Sequence, residues 1–119
     1  MSAPWRELKD AEISMLLKRR TGEPASESDW QRLCELFDEC RTTDDAEEAV
    51  CFHGVAALLA ERKGEFELAL KHRKIEIGKI VWLHEEEKRN PTDGYQTQNY
   101  ETADLEYRRN VVREIQAAM

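Results

Sequence analysis

Along most of this chain, apolar residues return at three- and four-residue steps, the period of a helix with one buried face. Five such segments are predicted, over 4–19, 28–41, 44–63, 65–89 and 97–118. In the first, Trp5, Leu8, Met15 and Leu16 share a face, and Pro4 sits where a missing N–H costs little. The stretch Thr21-Gly22-Glu23-Pro24-Ala25 ends it. In the second, Trp30, Leu33, Cys34, Phe37 and Cys40 form the cleanest stripe, with Ser28 and Gln31 as a capping box. The turn from Arg41 to Asp45 supplies N-cap residues for the third helix. That helix is lined with Ala46, Ala49, Gly54, Ala56, Ala57 and Ala60, small side chains that let a neighbour approach closely.

Gly64 is the natural left-handed residue between the third and fourth helices. On the fourth, Phe66, Leu70, Ile77 and Val81 group within ~60° at 100° per residue. Leu68, Ile75 and Trp82 stand roughly opposite, at steps of seven. A helix apolar on two sides needs two neighbours. The expected arrangement buries Leu68, Ile75 and Trp82 under the last helix, through Leu105, Val112 and Ile115. The alternative leaves them as a self-association or partner surface with Trp82 as its hot spot. Gly78, costly inside a helix, marks a close packing contact or a mild kink. Asn90-Pro91-Thr92-Asp93-Gly94 reads as a turn, and Tyr100, Ala103, Tyr107 and Val111 mark a second face of the last helix.

Residues 56–70 resemble the middle of a tetratricopeptide repeat. Ala57, Gly64, Phe66 and Ala69 occupy the small-residue, Gly, aromatic and Ala places of that family at its spacing. The resemblance spans about residues 50–83. It departs from the pattern at Glu76, where the family prefers Ala, and in a second helix that overruns the usual length. It implies an all-α, right-handed array of helical hairpins with atypical flanking helices, in a single domain over 1–119. Family members that clamp a partner's C-terminal carboxylate do so with Lys, Arg and Asn on a concave face. The matching face here carries Cys51, Gly54, Leu58 and Arg62, mostly apolar, which implies an apolar or helical peptide partner.

Composition narrows the classes. The net charge is −7 and the pI about 5.0, so binding to nucleic acid lacks its main driving force. The basic run Lys71-His72-Arg73-Lys74 lies among glutamates and reads as a solvated helix face. No apolar run reaches the ~20 residues of a membrane helix, and the first residues form no secretory leader, so a cytoplasmic location with no membrane partner is expected. Cys34, Cys40 and Cys51 lack metal spacing and read as packed thiols. There is no phosphate-binding Gly-rich loop, GxSxG elbow or HExxH. His72 and Glu76 lie one turn apart without a third ligand; His53 beside Gly54 reads as a core or groove histidine, and His84 as a surface one. Glu85, Glu86 and Glu87 fan round a helix and do not converge.

The sequence thus points to a non-enzymatic protein-interaction module without cofactor or metal, able to form a homodimer. Its expected partner-binding residues are Cys51, Gly54, Leu58, Arg62, Leu68, Ile75 and Trp82. Two rival classes are a structural homo-oligomer subunit with no free groove and a small His/carboxylate metal protein or enzyme.

Overall fold

The computed structural model describes residues 3–40, 45–89 and 102–119. It is all-α, with α1 (Ala3–Thr21), α2 (Glu27–Glu39), α3 (Ala46–Arg62), α4 (Phe66–Arg89) and α5 (Thr102–Ala118). The turns expected at 41–44 and 90–94, residues 97–101 of the last helix, and the side chains of Tyr100 and Ala103 lie outside the described residues.

Local chemistry sets the helix ends. The N-cap of α2 is Ser26, two residues before the expected Ser28. Its hydroxyl accepts from the Asp29 N–H at 3.1 Å, and its own N–H donates to Asp29 Oδ2 at 3.0 Å. Asp29 outcompetes Gln31 for this role because its carboxylate also pairs with Lys18 of α1 at 2.8 Å. That lysine, with the Ser26 hydrogen bonds, holds the Asp29 carboxyl down at about 2. Asp45 caps α3 by accepting from the Glu48 N–H at 2.9 Å.

The α3–α4 hairpin closes on Gly64, whose φ of 78° is left-handed. The Gly64 N–H donates to the Glu61 carbonyl at 3.0 Å and the Glu65 N–H to the Ala60 carbonyl at 2.9 Å, the paired bonds of a Schellman stop. Beyond it α4 folds back along α3, with Ala57 and Ala69 fully buried and Phe66 packed against the core.

Two apolar clusters form the interior. The larger joins Trp5, Leu8, Met15 and Leu16 of α1 to Leu33 and Leu36 of α2, Val55 and Leu58 of α3, Ala69 of α4, and Val111 and Ile115 of α5. The smaller holds Val50, Ile80, Leu83 and Leu105. Cys40 and Cys51 are packed thiols, but Cys34 faces solvent; Leu36, which the expected stripe left out, takes the inward place on α2 instead of Cys34.

Candidate functional site

Four charged side chains lie between the two apolar clusters. Glu12 of α1 is 3% exposed, Arg73 and Glu76 of α4 are fully buried, and Arg108 of α5 is 1% exposed. Arg108 Nη1 donates to Glu12 Oε1 and Glu76 Oε2, each at 2.7 Å. Arg73 Nη1 donates to Glu76 Oε1 at 2.8 Å and lies 3.9 Å from Glu12 Oε1. Two carboxylates and two guanidiniums cancel formally, the condition under which buried charge is tolerated. Burial raises the Glu76 carboxyl above the ordinary range, and the nearby Glu12 adds to the effect against the pull of both arginines. Burial raises Glu12 too, but there Arg108 outweighs it and the carboxyl ends below the ordinary range. Gly54 of α3 makes the room. A Cβ on it would meet Glu12 Oε1 at 2.5 Å and Glu76 Oε2 closer still.

This layer corrects two expectations, those for Arg73 and Gly54, and gives Glu76 its partners. Arg73 is not part of a solvated basic face, although Lys71 and Lys74 beside it are exposed. Glu76 turns inward to two arginines and is not available to a metal shared with His72. Gly54 and Cys51 belong to the interior and line no open concave face, because α1 and α4 close over this side of α3; Leu58 is buried too, with one edge on a cleft. Of the residues expected there, Arg62 is exposed. Its guanidinium stacks 4.7 Å from the Trp30 ring and pairs with Glu27 at 2.5 Å. Arg62 and Leu58 do help line a cleft of about 240 Å³ with Met15, Ala25 and Trp30, at whose edge Arg19 makes a two-pronged pair with Glu61.

The outer face of α4 carries the other expected residues. Leu68 is 41% exposed, Trp82 is 49% exposed, and Ile75 between them is half-buried. The last helix does pack against α4, but elsewhere: Arg108 docks on Glu76, and Leu105 joins Ile80 and Leu83 with Ile77 and Val81 alongside. The expected burial of Leu68, Ile75 and Trp82 by Leu105, Val112 and Ile115 is therefore not what the chain does. The ion pair ties α5 about 100° round α4 from Ile75, since Glu76 is the next residue. Gly78 is exposed on this same side, and among the described residues no atom lies within 4 Å of where its Cβ would be, so it marks no contact with them. Lys71 and Lys79 stand one turn before and after Ile75, about 40° to either side of it. Both are exposed, and among the described residues neither they nor Lys74 pair with a carboxylate.

Where α3 meets α4, the Nδ1 atoms of His53 and His72 approach to 2.9 Å, with Phe52 edge-on to the His53 ring. One ring must donate and the other accept, so at least the accepting ring is neutral. Burial lowers both pKa values, helped at His53 by His72 and Lys79 and at His72 by Lys71. Among the described residues no three His, Cys, Asp or Glu side chains converge as metal ligands. Glu85 is exposed and Glu86 pairs with Arg89 at 3.2 Å.

Sequence reasoning missed the buried charges, although a signal was present. Ala69, Arg73, Glu76, Ile80 and Leu83 follow one helical stripe, as do Leu8, Glu12 and Met15, and Leu105, Arg108, Val111 and Ile115. Each stripe is interrupted by charge, and the interruptions sum to zero.

No family model, curated protein or solved structure matches this chain. No described helix is long and apolar enough to cross a membrane.

Proposed function

We propose that the chain is a non-catalytic protein-interaction module of tetratricopeptide-like type, acting in the cytoplasm, and that it docks a partner on the outer face of α4. The observation that carries this is the line Leu68, Ile75 and Trp82. Two large apolar side chains about 40–50% exposed, one of them Trp, stand at helical spacing on one face, with Ile75 between them. Tryptophan buries much area at small entropic cost and dominates interface energetics where it occurs. The family part of this reading rests on the sequence pattern of Ala57, Gly64, Phe66 and Ala69, around a helical hairpin that turns at Gly64. The carboxylates that do converge, Glu12 and Glu76, are spent on two arginines out of reach of solvent, which favours a structural over a catalytic role for them. Free thiols at Cys34 and Cys40 suit a reducing compartment.

The test compares the wild-type chain with Leu68→Ser/Trp82→Ala in affinity purification from native lysate. The expected result is a partner recovered in fixed proportion by the wild type, lost by the double variant at an unchanged melting temperature, and bound again when purified. A variant that keeps every wild-type partner removes this face from the reading. A transition metal recovered in fixed proportion with the chain would favour the metal-protein class instead.

A further inference from the structure

We infer that the partner presented to α4 is an acidic amphipathic helix, its apolar residues seated on Leu68, Ile75 and Trp82 and its carboxylates on Lys71 and Lys79. This rests on the docking reading above and adds the chemistry of the occupant.

The argument is one of charge. The chain as a whole carries −7. Yet between Leu68 and His84 every exposed charge on α4 is a lysine, because Arg73 and Glu76 are turned inward. Glutamates resume on both sides of that span, at Glu65 and Glu67 before it and Glu85 after it. Lys71 and Lys79 stand about 40° to either side of the apolar line, within reach of a helix laid along it. Among the described residues no carboxylate pairs with either, although Glu67 stands one turn before Lys71.

The same placement argues against a second copy of this chain as the occupant. Antiparallel pairing about Ile75 would set Lys71 against Lys79. Parallel pairing would set each lysine against itself. Either way cation faces cation along the seam, which costs affinity and selects against that pairing. A partner with carboxylates in those places removes the cost. Gly78 fits the same picture: it stands at the margin of the face with open space above it, where a second helix backbone could come close.

The probe is a synthetic helical peptide with leucines at three- and four-residue steps and glutamates flanking them, titrated against the full chain by fluorescence anisotropy. A second peptide replaces each Glu by Lys, and anionic vesicles form a third arm. Binding of the acidic peptide alone is expected, weakening with salt. Lys71→Glu/Lys79→Glu and Trp82→Ala should each weaken it by about tenfold or more, with melting temperatures unchanged because the residues are exposed. If Trp82→Ala weakens binding but the charge reversal does not, the docking face stands and the acidic partner is wrong. If Trp82→Ala binds the peptide as the wild type does, or neither peptide binds, the docking reading itself falls. Binding to the vesicles but not the acidic peptide would replace a protein partner with a lipid surface and overturn the inference.

Discussion

Gly54 is the residue on which the interior turns. A single methyl there would fall on both carboxylates of the charge layer, and neither can retreat without losing Arg108. Gly54→Ala is therefore expected to destabilise the fold by about 1–3 kcal/mol, the range of an overpacked core site. Chemical denaturation measures it; an unchanged midpoint would mean the layer tolerates displacement. At this scale the sequence was least legible. Long charged side chains sit on the surface so regularly that Arg73 and Glu76 were read with their exposed neighbours. What distinguishes them is their position in an apolar stripe, together with complementary charges in the stripes of two other helices. Burial of the charges in α4 depends on the charges in α1 and α5, a relation no local window contains.

At the scale of the element, legibility was high. The hairpin about Gly64, the inward stripe of α1 and the two-sided character of α4 follow from period and punctuation, since each depends on residues close in the chain. The α2 cap slipped by two residues because Asp29 is claimed by both Ser26 and Lys18, a tertiary contact. What covers α4 was not legible either, as that is fixed by the Arg108–Glu76 pair. The α3–α4 seam carries a pH dependence through His53 and His72. Both hold folded pKa values below their unfolded ones, so the unfolded chain gains protons first as pH falls. Stability should be flat with respect to this pair above about pH 6.5 and decline below it, through the lowered folded values. His53→Gln/His72→Gln should lessen the decline of melting temperature between about pH 7.5 and 5.5. An identical decline in the variant would assign it to other groups.

For the whole molecule, the charge layer and the apolar clusters do different jobs. Desolvating four charges is costly, and well-packed apolar side chains of similar volume often match or exceed a buried ion network in stability. Replacing the set together, Glu12→Leu/Arg73→Met/Glu76→Leu/Arg108→Met, is expected to leave stability equal or higher, whereas Arg108→Met alone should cost about 3–5 kcal/mol by leaving Arg73 alone against two buried carboxylates. Thermal denaturation of the two variants decides it. A quadruple variant less stable than the single one would show that the ions, not their cancellation, hold the core.

The layer has a further consequence for how α5 finds its place. Apolar side chains are forgiving partners; Val111 and Ile115 would still meet greasy neighbours if the helix were advanced or retarded by one turn, about 5.4 Å. Arg108 would not, for a shift of that size would take it out of reach of both glutamates. The arginine thus acts as a detent, giving the last helix a single seat along the bundle and making a slipped assembly recognisably wrong by its stranded charges.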